Sequence, residues 1–189
     1  MKTCIYSIIP KIIFVLILIF PVSLHCLAQS EAETFTARNA LYLEFGGNSG
    51  RYAVNYGRII HQKEKLKLNV SVGFSMWRHG TRRSNYWLPV VPMEISAFWG
   101  RSNHHLEIGA GVTSILEPSP TTDPVTSEID DQIVYSAAVI FRVGYRYQKP
   151  EGGFFFRAGY TPYFNFAGKA DGNPTFQAIL GGASFGWSF

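Results

Sequence analysis

The chain has 189 residues, of which 47% are hydrophobic and 16% charged, with a formal net charge of +4 and a mean hydropathy of +0.04. So small a basic excess makes no case for a nucleic-acid partner. The hydropathy matches a soluble protein, and also a membrane β-barrel, where only every second residue faces lipid; a spanning helix needs about 20 nearly continuous apolar residues.

One such stretch opens the chain. Met1-Lys2-Thr3 and Lys11 precede the apolar run from Ile12 to Phe20, then Pro21 and the small-residue approach Cys26-Leu27-Ala28 before Gln29. This form predicts a secretory signal peptide over residues 1–28; the rival is a retained single-helix anchor. Ser23-Leu24-His25 lacks the small residues that a lipoprotein cut before Cys26 requires. Cleavage removes Lys2 and Lys11, taking the net charge from +4 to +2, and removes both cysteines, Cys4 and Cys26. The 161 residues left then hold no thiol, so no disulfide, thiolate nucleophile or cysteine metal site forms even in an oxidising compartment. That length fits one domain, and residues 29–39 read as a short polar lead-in on the periplasmic side.

From Ala40 onward the chain alternates with period 2, the signature of strands with two unlike faces. In order, the apolar faces are Leu41-Leu43-Phe45; Tyr52-Val54-Tyr56; Leu66-Leu68-Val70-Val72-Phe74-Met76; Val91-Met93-Ile95-Ala97-Trp99; Leu106-Ile108-Ala110-Val112; Val139-Phe141-Val143-Tyr145-Tyr147; Phe154-Phe156-Ala158-Tyr160; and Ile179-Gly181-Ala183-Phe185-Trp187-Phe189. Eight strands follow. The expected connections are short at Ile60 to Lys65, Gly100 to His104 and Gln148 to Gly153. They are long at Trp77 to Tyr86, Ser114 to Gln132 and Pro162 to Phe176, and Gly47 to Gly50 is a tight hairpin on the long side. Pro89, Pro92 and Pro162 fall toward the long-loop ends and Pro150 in a short turn, where a missing backbone donor costs little.

The eight apolar faces carry no charged residue, whereas the opposite faces hold Glu44, Arg51, Lys67, Glu94, Glu107, Arg142, Arg146 and Arg157 among Gly and Ser. A soluble ligand-carrying barrel places apolar residues inside; a membrane barrel of this size inverts that. Charges interspersed with small residues suit a narrow lumen. Aromatics gather near both strand ends: Trp99, Tyr147, Phe154 and Trp187 toward the short turns, and Trp77, Tyr86, Trp87, Tyr160 and Tyr163 toward the long loops, as in interfacial girdles. The competing architecture is a β-sandwich with aromatic edges.

The final strand ends in Phe185, Trp187 and Phe189 and resembles the terminal strand by which bacterial outer-membrane barrels are recognised and closed. Residues 40–189 resemble the eight-stranded OmpA/OmpX type of outer-membrane barrel, and the Gly-rich, aromatic style is similar to barrel proteins of Bacteroidota. The family's usual Gly five residues before the terminal aromatic is Ser184 here, flanked by Gly182 and Gly186. The resemblance implies an all-β, eight-stranded antiparallel up-and-down transmembrane β-barrel in the outer membrane of a Gram-negative cell. It also implies insertion by the barrel-assembly machinery, contact with outer-membrane lipid and lipopolysaccharide, and no cofactor.

An eight-stranded interior is just wide enough to be filled by side chains. Glu44, Glu94 and Glu107 are therefore expected to pair with Arg142, Arg146, Arg157 and Lys67, because unpaired buried charges are costly; a proton or small-ion path is the alternative. Arg78, Arg82 and Arg83, with His79, form a basic outer loop that suits lipopolysaccharide phosphates. Glu117, Asp123, Glu128, Asp130 and Asp131 form an acidic one, with oxygen ligands for calcium but no calcium-loop spacing. Both loops also read as plain solvated loops. Lipid A-modifying barrels resemble this one in outline, but of His61, His79, His104 and His105 only His79, with Ser75 or Ser84 and Glu94, sits near the outer end. His104-His105 reads as part of a turn rather than a metal pair. The expected role is that of a non-enzymatic, monomeric outer-membrane barrel with a structural or surface-interaction role, without metal or catalytic site; a narrow channel or ligand-binding barrel is the alternative.

Overall fold

The computed structural model describes residues 32–80, 85–122, 129–165, 175–177 and 181–189, so the expected signal peptide, Arg82, Arg83, Ser84, Asp123 and Glu128 lie outside the described residues. The strands are β1 (Asn39–Gly46), β2 (Tyr52–Lys63), β3 (Leu66–Gly80), β4 (Asn85–Trp99), β5 (His104–Thr122), β6 (Ile129–Gln148), β7 (Gly153–Tyr160), β8 (Tyr163–Asn165), β9 (Thr175–Gln177) and β10 (Gly181–Ser188). Each of β1 to β6 pairs antiparallel with the next, β7 pairs with β10, and β10 returns to β1. β8 and β9 prolong β7 and β10 upward after the break at Thr161-Pro162, where Phe141 N–H still donates to the Pro162 carbonyl. The result is a closed, eight-stranded, up-and-down antiparallel barrel.

The seam lies where the terminal aromatics suggested. Leu41 faces Trp187 and Leu43 faces Phe185 across it, and Asn39 and Phe189 exchange both backbone hydrogen bonds at 2.9 and 2.8 Å. Closure leaves the ring without a free edge, the property that lets a sheet reside in hydrocarbon.

Several expected loops are strand instead. β3 runs on to Gly80, and β5 and β6 extend to Thr122 and Ile129 with continuous pairing. At about 3.3 Å per residue, the 19-residue β5 spans roughly 60 Å, against roughly 25 Å for the 8-residue β1. One hairpin therefore rises far above the rest of the rim. It carries Glu117 and Asp131, so the described part of the acidic segment is a projecting ribbon, and Pro92 falls inside β4, where the β3–β4 pairing skips Gly73 and Phe74. His104 and His105 begin β5 rather than forming a turn. Their rings point to opposite sides: His104 is exposed and within 2.6 Å of the Tyr145 hydroxyl, and His105 is buried.

Polarity is inverted relative to a soluble protein. Phe74, Ile95, Leu106, Phe141, Val143 and Trp187 lie exposed on the outer wall, while Glu44, Lys67, Glu94, Glu107 and three arginines are buried within. Trp77 is a correction: period 2 continues unbroken to the end of β3, which turns this odd-numbered residue inward rather than onto an outer girdle. Trp87, Tyr160, Trp99, Phe154 and Trp187 do face outward.

Candidate functional site in the barrel lumen

The inward residues stack in layers. At the short-turn end, residues 32–38 cross beneath the barrel. Thr36 and Ala37 donate to the Pro150 carbonyl at 3.0 Å, Glu33 to that of Arg101 at 3.1 Å, and Phe35 N–H to the Gln62 side chain at 3.1 Å. Three different turns are thereby strapped together. The Phe35 ring enters the lumen and is wholly buried, edge-on to Phe98 and His105 with centroids 5.9 and 5.5 Å apart. The lead-in that reads as polar in sequence is a stopper, its one aromatic side chain supplying apolar contact where the wall offers Ile59 and Phe98.

Lys67 also lies here. Its ammonium donates to the Gly100 carbonyl at 2.9 Å and sits 5.1 Å from the Phe35 ring centroid, and it pairs with none of Glu44, Glu94 and Glu107, contrary to the expectation. β3 places it one layer below the carboxylates, and backbone carbonyls of the adjacent turns satisfy its donors instead.

Above the stopper, the other six predicted lumen charges come together. Arg157 reaches all three carboxylates: Glu94 at 2.9 Å, Glu44 at 3.2 Å and Glu107 at 3.5 Å. Arg142 pairs with Glu44 and, at 3.1 Å, with Glu94; Arg146 pairs with Glu107 at 3.1 Å. Three formal positive charges thus meet three negative ones. The arginine planes stack on rings as well, Arg146 lying 4.2 Å from Phe98 and Arg157 4.8 Å from Tyr42. Strand register makes room: Arg142 lies opposite Gly109, Glu107 opposite Gly144 and Glu94 opposite Gly111. Ser184, where the resemblance would place a glycine, is fully buried and accepts from Arg157 Nε at 3.1 Å.

The network is roofed by the β1–β2 connection. Gly47–Ser49 form a single 3-10 turn that folds into the lumen and is buried. Asn48 donates to the Met93 carbonyl at 3.0 Å, and the Thr113 hydroxyl donates to Asn48 on the far wall. Gly46, Gly47 and Gly50 hold φ between +58° and +70°, a conformation strained for other residues. A Cβ on Gly47 would also run into the Glu44 carboxylate and Arg142 guanidinium. Reading Gly47 to Gly50 as a tight hairpin predicts its length but not this inward fold, and the density of Gly was the available signal.

Outside the lumen, Arg78 lies at the outer end of β3 and donates to the Asn85 side chain at 3.2 Å. Ser75 is buried, and Glu94 is held by Arg142 and Arg157; Ser84, the other serine near His79 in sequence, lies outside the described residues. Among the described residues no group of three or more His, Asp and Glu gathers for a metal.

No protein-family model matches the chain, and no curated protein matches its sequence. Among solved structures, the crystal structure of the N-terminal β-barrel domain of Pseudomonas aeruginosa OprF is similar at 12% sequence identity and a TM-score of 0.46, the alignment covering 80% of this chain and 96% of that one. The closed eight-stranded fold stands on the strand register itself.

Proposed function

We propose that the protein is a small integral outer-membrane β-barrel with a structural or surface-interaction role, exported through cleavage of residues 1–28 and monomeric in the membrane. The observation that carries this reading is an apolar outer wall around a lumen that is charge-paired and stoppered at both ends. Lipid is the solvent that favours such an exterior. Arg58, an exposed charge on the outer face, pairs in register with Asn39 at the terminal rim, where its long stem reaches head-group level.

The projecting β5–β6 ribbon and the Arg78 rim are the contact region, with lipopolysaccharide phosphates the partner that arginine fits best. The reading assigns no catalytic role, and Glu94, the acid expected near His79, is engaged by Arg142 and Arg157 in the lumen. Fractionation and gel migration test the location: a detergent-resistant, heat-modifiable form in the outer membrane is expected, and its absence would sink the reading. In planar bilayers the protein stays at the leak level, whereas a reproducible open state would favour the narrow channel. Unchanged lipid A masses with and without the protein are expected; a defined acyl gain or loss would make it an enzyme.

A further inference from the structure

Between the inward turn and the outer rim the lumen opens into a cavity of about 230 Å³. At about 30 Å³ per water it holds roughly eight waters, the scale of one amino acid rather than of a polymer. Its floor is the Gly47–Gly50 turn, and its walls include Arg51, Trp77, Ile115, Glu117, Ile140 and Tyr163. The walls are chemically divided. Trp77 and Ile115, packed with Val90, form an apolar cluster, while Arg51 and Glu117 bring opposite charges to the same chamber.

Neither charge forms an ion pair among the described residues. The Arg51 guanidinium donates to the Arg78 carbonyl at 3.3 Å, its one hydrogen bond among the described residues, and stacks with its central carbon 5.0 Å from the Trp77 ring centroid. The Trp77 side chain is 8% exposed, yet its indole N–H finds no acceptor among the described residues. A buried indole donor ordinarily has a partner, so this one is suited to an acceptor brought by a ligand. Gly50 keeps the space clear: a Cβ there would stand 2.6 Å from the Trp77 ring.

We propose that this outer vestibule binds a small zwitterion of amino-acid size with an apolar side group. The carboxylate would meet Arg51 and the Trp77 N–H, the ammonium would meet Glu117, and the side group would lie against Ile115 and Ile140. A neutral or singly charged molecule would leave one wall charge unanswered, which is the basis for selecting a zwitterion.

The test uses the full mature chain folded in detergent, with L-phenylalanine and L-leucine as probes and Trp fluorescence and calorimetry as readouts. Saturable binding with Kd near or below about 1 mM is expected. Replacing the probes by N-acetyl or amide derivatives should weaken it at least tenfold, as should Glu117→Gln and Arg51→Met. Trp77→Phe, which keeps an aromatic ring but removes the N–H, should weaken it several-fold in calorimetry. Ala138→Phe, which fills the chamber from its wall, should abolish it, with heat-modifiable migration reporting that each variant folds. Absence of saturable binding by the folded protein would overturn the proposal, as would equal affinity for the blocked derivatives or retained binding in folded Ala138→Phe. None of these outcomes depends on whether the barrel conducts ions.

Discussion

Arg157 is the residue on which the interior turns. It alone touches all three lumen carboxylates and also holds Ser184 and the face of Tyr42. Removing one partner from a buried ionic group costs about 3–5 kcal/mol, because the remaining charges stay desolvated without compensation. Arg157→Met should lower unfolding stability by about that amount, read from the urea midpoint of the heat-modifiable band. Adding Glu94→Gln, which removes the single negative charge then in excess, should recover part of the loss; a double variant as unstable as the sum of its singles would show that the network is not coupled. Charge on alternate strand positions made these residues legible in sequence. Lys67 carries the same signal yet bonds to carbonyls, since its height in the lumen depends on strand stagger.

At the level of elements, two pieces behave unlike the wall. The 32–38 strap closes the short-turn end through Phe35. Phe→Ala in a packed core costs about 3–5 kcal/mol, so Phe35→Ala should destabilise the barrel by about 3 kcal/mol. Conductance should nevertheless remain at the leak level, because the Gly47–Ser49 turn blocks the lumen higher up. Appearance of an open state in that variant would mean the upper turn does not seal. The β5–β6 ribbon is the opposite case. Beyond Ile115 its backbone pairs only with itself among the described residues, and its deleted part meets the wall through the long Tyr86–Asp131 hydrogen bond of 3.4 Å, so replacing residues 120–131 by Asn-Gly, which joins Ser119 to its partner Gln132, should change unfolding stability by no more than about 0.5 kcal/mol. Any surface contact made by the ribbon should be lost in the same variant. Neither element was visible as such from the chain: a lone Phe in a polar segment, and prolines within β5, run against the local pattern that marks a stopper or a strand.

For the molecule as a whole, the decisive property is which side of the wall faces which solvent. Ile95 is 61% exposed on the outer face. In water a substitution there would change stability by no more than about 0.5 kcal/mol; a cation near the middle of a bilayer costs about 2–4 kcal/mol. Ile95→Arg should therefore reduce stability by at least about 2 kcal/mol when folding into liposomes is measured, and a neutral effect would count against membrane insertion. The period-2 pattern, the eight segments and the aromatic terminus were enough to determine strand number, face assignment and closure, because side-chain alternation is a local property of extended backbone. The outcome for Lys67, the inward turn, the Phe35 stopper and the chamber between Arg51 and Glu117 came only with tertiary structure. Each depends on strand stagger around a closed ring, which brings together residues from opposite walls that no local periodicity connects.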